Sequence, residues 1–130
     1  MQTVDFLDNV SMSLLNKDLD GLWARQQAIS DNIANVETPG YHDKSVSFED
    51  QLRAQLQDPN RTEQQTIDAI RSVEPQTVTS TDTLRADGNG VDLEQQNLDL
   101  ARTQLNYYTS LQEISDSFSR LKTAIGGSQN

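Results

Sequence analysis

The chain has 130 residues, which suggests a single domain, and its 20 acidic and 10 basic side chains give a net charge of −10. This acidity argues against binding to nucleic acid or to an anionic membrane surface, because both require clustered Lys and Arg. The absence of cysteine excludes disulfides and thiolate chemistry. No apolar run approaches the ~18 residues of a membrane-spanning helix, and the first 30 residues lack the basic and apolar regions of a Sec-type signal.

Hydrophobic residues make up 34% of the chain, or about 39% when its 6 glycines are added. Globular domains typically reach about 45–50% when glycine is included. We therefore expect no large single core, and we expect order to be concentrated in segments that depend partly on partners.

An amphipathic pattern predicts a long N-terminal helix within the first segment, residues 1–40. Its apolar positions are spaced alternately by four and three residues, which is typical of a helix that packs along another helix. This N-terminal seam consists of Leu15, Leu19, Leu22, Gln26, Ile29, Ile33 and Val36. Gly21 falls inside the helix and should cost about 1 kcal/mol relative to Ala.

A longer pattern of the same spacing predicts a C-terminal helix over residues 92–126. This C-terminal seam consists of Leu93, Asn97, Leu100, Gln104, Tyr107, Leu111, Ile114, Phe118, Leu121 and Ile125. Asp92, followed three residues later by Gln95, predicts the N-cap, because its carboxylate can accept from free N–H groups of the first turn. Gly126 and Gly127 predict the C-terminal end.

The middle segment, residues 41–91, is predicted to be extended and partly disordered, with short helices. Residues 58–90 contain two prolines and a Thr/Ser-rich run, and such a stretch buries too little apolar surface to offset its ordering entropy unless another chain covers it. Short helices are predicted over 47–56 and 64–73. Their apolar faces comprise Phe48, Leu52 and Leu56 in the first, and Ile67, Ile70 and Val73 in the second.

The predicted fold is mainly α, with the two long terminal helices packed through their heptad seams as a coiled-coil-like pair and an extended, irregular middle. Two antiparallel helices bury only one stripe each, which is marginal in water. Leu98 and Leu105 flank the C-terminal seam and also need covering. Self-assembly, or insertion between neighbouring chains, would provide that cover.

The segment that follows the N-terminal helix carries the most distinctive motif, Asn32-Ile33-Ala34-Asn35-x-x-Thr38-Pro39-Gly40-Tyr41. The helix should end near Val36, and Pro-Gly is typical of a type II turn with Gly at positive φ. The two Asn amides can bond the last carbonyls of the helix or a neighbouring backbone. On physical grounds alone, a plain helix stop followed by a turn explains the motif better than an assembly role does.

The motif resembles the N-terminal signature of bacterial flagellar axial proteins, which include the rod, hook and hook-associated proteins. The chain length, the Phe48 segment after the motif and the Asp87–Asp92 entry to the last helix are similar to the proximal members of the flagellar basal-body rod protein family. The resemblance covers about residues 10–55 and 86–125. One departure is His42, where Lys or Arg commonly follows the Tyr.

The resemblance implies a structural subunit that polymerises into the rod, the periplasm-spanning drive shaft required for motility. Such subunits leave the cytoplasm through the flagellar type III export apparatus, which would account for the missing Sec signal. The implied partners are other copies of the chain, other rod proteins, the rod adaptor FliE, the MS ring and the export gate. No cofactor, metal or direct membrane span is implied.

Two rival sites are weaker. His42 is the single histidine, and no cysteine exists to support a nucleophile or metal site, so we expect no catalysis. The run from Asp87 to Glu94 resembles part of a calcium loop. However, it places Asp92 where an EF-hand needs Gly and Leu98 where it needs Glu, so a turn followed by a helix cap is the better account.

A protein of a different class also fits the acidic charge and the long seams. A cytoplasmic coiled-coil adaptor or export chaperone would hold a partner helix along the same seams. The Thr38–Tyr41 turn and the glycine-rich entry to the last helix favour the rod protein, because a generic coiled coil needs neither.

Overall fold

The computed structural model describes residues 2–81 and 90–127. Its elements in chain order are α1 (Gln2–Ala34), β1 (Lys44–Ser47), α2 (Glu49–Gln55), α3 (Glu63–Arg71), β2 (Gln76–Thr79) and α4 (Leu93–Gly127). The mainly α fold with long terminal helices is confirmed. The Asp87–Asn89 part of the rejected calcium loop and the side chain of Ile125 lie outside the described residues.

Helices α1 and α4 pack side by side and run antiparallel. They contain 33 and 35 residues, so each is about 50 Å long at ~1.5 Å per residue. Asp18 bonds Ser110, whereas Asn32 bonds Gln96, so the partner moves back along α4 as α1 advances. The predicted cap of α4 is confirmed, because the Gln95 N–H donates to the Asp92 carboxylate over 3.2 Å.

The face that α4 turns toward α1 is more polar than the seam predicts. Its most buried residues are Gln96, Thr103 and Ser110, which recur at intervals of seven. Each of these side chains makes a hydrogen bond. Gln96 accepts from Asn32, Thr103 donates to the Asp99 carbonyl, and Ser110 donates to the Asp18 carboxylate. Small hydroxyl side chains with satisfied hydrogen bonds therefore occupy positions that hydrophobic periodicity cannot identify.

The members of the two predicted seams differ in burial. In α1, Leu22 and Ile29 are buried, and Leu15, Leu19 and Ile33 are half-buried. In α4, the half-buried members are Leu100, Tyr107 and Ile114, and the exposed ones are Leu93, Leu111, Phe118 and Leu121. The contact face of α4 is thus rotated relative to the predicted seam, and part of that seam points to solvent in the single chain.

The hydrophobic core lies between α1 and the middle segment. Helices α2 and α3 match the predicted short helices, and the core includes Phe48 and Leu52 from the first with Ile67, Ile70 and Val73 around the second. Leu56 is exposed. The residues contributed by α1 to this cluster are Val10, Leu22 and Ala28. The part of the middle segment that contains α2 and α3 therefore folds onto α1.

A two-stranded antiparallel sheet joins the ends of this segment. The register pairs Lys44 with Thr79 and Ser47 with Gln76. The sequence does not predict it, because each strand has four residues, β2 is exposed throughout, and its partner lies about thirty residues away in the chain.

Gly21 allows α1 to approach the core closely. A Cβ built at this position would stand 2.5 Å from atoms of the Phe48 ring, closer than any real contact. Phe48 is fully buried. The intrinsic helix cost of this glycine is therefore offset by the packing of an aromatic ring directly on the α1 backbone.

Candidate assembly site

The turn after α1 has the predicted type II geometry. The Tyr41 N–H donates to the Thr38 carbonyl over 3.3 Å, and Gly40 has a φ of 77°. Asn35 closes the helix end, because its amide donates to the Asp31 carbonyl over 2.8 Å and accepts from the Thr38 hydroxyl over 3.1 Å. These bonds occupy groups that a helix terminus otherwise leaves unpaired.

Asn32 connects three parts of the molecule and is fully buried. Its Oδ1 accepts from the Lys44 N–H over 2.8 Å and from the Tyr41 hydroxyl over 3.1 Å. Its Nδ2 donates to the Lys44 carbonyl over 2.8 Å and to the Gln96 Oε1 over 2.9 Å. Because an amide has two donor hydrogens and two acceptor lone pairs, all four hydrogen bonds of Asn32 are made.

The same bonds explain why β1 lies against α1. The Ser80 N–H donates to the Asp43 carbonyl, so Asp43 is a residue that bonds toward β2. Because successive residues of an antiparallel strand bond alternately to one side and the other, the main-chain groups of Lys44 and Val46 point away from β2. Asn32 bonds both groups of Lys44, as a neighbouring strand would do. The outer edge of β1 is therefore partly covered by side chains of α1.

Tyr41 is half-buried and donates to Asn32. Burial raises the pKa of its phenol above the ordinary 10.0, and the charges of Asp31 and Asp43 raise it further. The hydroxyl consequently stays protonated and remains a donor.

Arg25, one heptad before Asn32, anchors the other end of β1. Its guanidinium donates to the Val46 carbonyl, with Nη2 at 2.8 Å, and pairs with the Glu49 carboxylate at 2.6 Å. The guanidinium carbon also lies 4.8 Å from the centre of the Phe48 ring. Burial alone would raise the pKa of Glu49, but the hydrogen bond and charge of Arg25, together with hydrogen bonds from the main-chain N–H groups of Glu49 and Phe48, outweigh it and lower that pKa below the ordinary 4.5.

The structure separates the motif into a buried and an exposed part. Asn32 is buried, and Ile33, Asn35 and Tyr41 are half-buried, whereas the exposed members are Ala34, Thr38, Pro39 and Gly40. Sequence reasoning did not identify Arg25, Lys44 or Gln96 as members of this site. For Arg25 a signal existed, because residues seven apart lie on one helix face. Gln96 lies on the face that periodicity missed.

Large apolar side chains remain exposed along α4 in the single chain. We call them the α4 outer surface: Leu98, Leu105, Tyr108, Leu111, Phe118 and Leu121. Their exposed fractions run from 40% to 71%. Exposed large apolar side chains in this number are typical of a protein–protein contact.

No group of three or more His, Cys, Asp or Glu side chains in the part of the chain that the structure describes is arranged to hold a metal ion. No helix among the described residues is long and apolar enough to cross a membrane.

Comparison with known proteins agrees with this arrangement. The family model described as flagella basal body rod protein matches residues 22–42, the stretch from the buried part of α1 through the turn. FlgB of Bacillus subtilis is 31% identical over 129 residues, covering 93% of each chain. FlgB of Aeromonas hydrophila is 32% identical over 111 residues, covering 81% of this chain and 84% of its own. FlgB of Escherichia coli is 28% identical over 103 residues, covering 70% and 75%.

The chain therefore belongs to the flagellar basal body rod protein family. Within that family it resembles the FlgB proteins along nearly its whole length, and its function is that of a structural rod subunit. Nothing in the comparisons favours the adaptor or chaperone alternative.

Proposed function

We propose that the chain assembles into the proximal rod by packing its α4 outer surface against neighbouring rod subunits. The single observation that carries this proposal is the set of exposed Leu, Tyr and Phe side chains on α4, a helix that already packs on α1 through other residues. Fully burying one such side chain contributes roughly 1.5–3 kcal/mol. Six partly exposed ones can therefore supply several kcal/mol per subunit contact.

The exposed Thr38–Gly40 turn belongs to the same proposal. It projects from a rigid base, because Asn32 and Asn35 hold the residues on both sides of it. A rigid exposed turn costs little entropy on binding, which suits a repeated contact between subunits. The turn is thus a second contact, smaller than the α4 outer surface.

The finer partners and the route to the assembly are also proposed. The subunit meets other copies of itself, other rod proteins, the adaptor FliE, the MS ring and the export gate, and it reaches the periplasmic rod through the flagellar type III apparatus. A small core between α1 and the middle segment supports this route, because a weakly stable chain is easily unfolded for export. The role is structural, with no catalysis.

Two substitutions test the α4 contact. Leu105→Glu and Phe118→Glu each place a charge on the α4 outer surface. Because both sites are exposed, the single chain should keep its helix content by circular dichroism. In cells that lack the native copy, both variants should fail to restore motility and should be missing from purified basal bodies. Gln57→Glu, an exposed site after α2, is the charge-matched control and should behave as the native chain does. Normal rods built from either α4 variant would contradict the proposal.

A further inference from the structure

A cavity of about 370 Å³ opens between α1, β1 and α4, next to the Asn32 hydrogen bonds. Ala28, Ile29 and Val46 form its apolar part, and Gln96 lines it from α4. At about 30 Å³ per molecule it has room for roughly ten waters. The cavity is therefore large enough to admit a side chain from another molecule.

Two buried hydrogen-bond donors line this cavity without an acceptor. Gln96 is only 5% exposed, and its Oε1 accepts from Asn32, but its Nε2 has no acceptor among the described residues. Val46 is likewise buried, and its main-chain groups point away from β2. On that side its carbonyl accepts from Arg25. Its N–H points to the same side and has no acceptor in residues 2–81 and 90–127. The buried part of the cavity thus lacks an acceptor oxygen.

The rim selects the charge of that oxygen. Arg102 is exposed at the rim and forms no ion pair within the described part of the chain. Lys44 also lines the cavity, and its nearest carboxylate, that of Asp31, is 4.0 Å away. Asp43 and Asp99 are present too, so the rim is mixed, yet the unpaired donors at depth and the unpaired guanidinium together favour a carboxylate.

We propose that this cavity binds an Asp or Glu side chain of a second copy of this chain in the rod, an inference that rests on the proposed function. Gln96 Nε2 and the Val46 N–H bond the carboxylate oxygens, and Arg102 pairs with the charge at the rim. Charge supplies the reason for this occupant. Each copy carries −10, so neighbouring copies repel unless acidic side chains of one meet cations of the next.

Gln96→Glu tests the donor directly. The substitution keeps an oxygen to accept from Asn32 but replaces the donating NH₂ with a second oxygen, at nearly the same volume. We expect about a tenfold or larger fall in the amount of chain recovered per purified basal body, because an acceptor would face an acceptor. Gln57→Glu adds the same charge far from the cavity and should be recovered at the native level.

Arg102→Glu keeps the inference testable if Gln96→Glu fails to fold. Arg102 is exposed and its guanidinium makes no hydrogen bond or ion pair with the described residues, so its replacement should leave circular dichroism and thermal unfolding of the single chain unchanged. Recovery in basal bodies should again fall about tenfold or more. Native recovery of both variants would overturn the inference.

A photo-reactive cross-linker identifies the occupant. Asn106 lines the cavity and is exposed, so benzoylphenylalanine placed there reaches what enters. In basal bodies we expect a cross-link to a second copy, within a peptide that contains Asp or Glu. A cross-link to a different protein, to a peptide without either residue, or to no second chain would overturn the inference.

A free anion is the other possible source of a carboxylate. We expect sodium acetate and sodium citrate to leave the melting temperature of the purified chain unchanged relative to sodium chloride of equal ionic strength. A specific rise would assign the cavity to a small molecule and overturn the proposed occupant. If the unsubstituted chain is missing from basal bodies the proposed function fails, whereas native incorporation of both cavity variants refutes the cavity inference alone.

Discussion

Gly21 brings the Phe48 ring onto the α1 backbone, and an added Cβ would meet ring atoms at 2.5 Å. In an ordinary helix interior Gly→Ala stabilises by about 1 kcal/mol. Here we expect Gly21→Ala to destabilise by about 1–3 kcal/mol, because the ring must move out of a filled core. Urea unfolding measures this difference.

A matched pair of variants separates the clash from helix propensity. Gly126→Ala adds a methyl group that meets no described atom within 4 Å beyond its own chain neighbours and helix backbone, so it should leave stability unchanged or slightly raised. Adding Phe48→Leu to Gly21→Ala should recover part of the loss relative to Phe48→Leu alone. A stabilising Gly21→Ala would show that the ring does not pack on the helix.

Asn32 has a larger energetic role than Asn35, although the motif contains both. Asn32→Ala removes the partner of the N–H and of the carbonyl of half-buried Lys44, and we expect a loss of about 2 kcal/mol or more. Asn35→Ala removes bonds that water can replace, so its cost should stay below about 1 kcal/mol. Equal losses in the free energy of unfolding, measured with urea, would contradict the larger role of Asn32.

The pH dependence of stability should involve Glu49. Its pKa is lower in the folded chain than the ordinary 4.5, so its contribution is fully present above about pH 4.5 and is lost as pH falls through the folded pKa. Glu49→Gln should therefore flatten the fall in the free energy of unfolding below about pH 4.5. Gln57→Glu should leave that fall in place. An unchanged acid profile for Glu49→Gln would contradict the lowered pKa of Glu49 in the folded chain.

At the level of elements, the long helices, the cap at Asp92 and the type II turn follow from local chemistry, so the sequence predicts them. The β1–β2 pair and the burial of Phe48 depend on partners distant in the chain, which local patterns do not reveal. The hydrophobic pattern misplaces the contact face of α4 for a related reason. Gln96, Thr103 and Ser110 are polar, and only their partners on α1 or in the preceding turn of α4 make their burial favourable.

Local stability should differ between the two long helices. Residues 22–33 of α1 pack against both α4 and the core, whereas residues 111–121 of α4 keep several large apolar side chains in solvent. Amide hydrogen exchange of the purified single chain should therefore be slower in the first stretch than in the second. Equal protection would mean that residues 111–121 are covered without a neighbouring subunit.

For the whole molecule, the acidic charge and the α4 outer surface have opposite effects on association between copies. Because each copy carries a net charge of −10, free copies repel one another in solution. The α4 outer surface favours association once subunits are aligned. A small core, a rigid exposed turn and an exposed helix face together suit a subunit that completes its packing in an assembly.

Quantitative mass spectrometry of purified hook–basal bodies from the source cell tests this account most directly. We expect the chain at a fixed ratio to the other rod proteins, retained after washing with high salt because apolar contacts hold it. A chain that is missing from basal bodies and recovered from the soluble fraction would contradict its assembly into the rod.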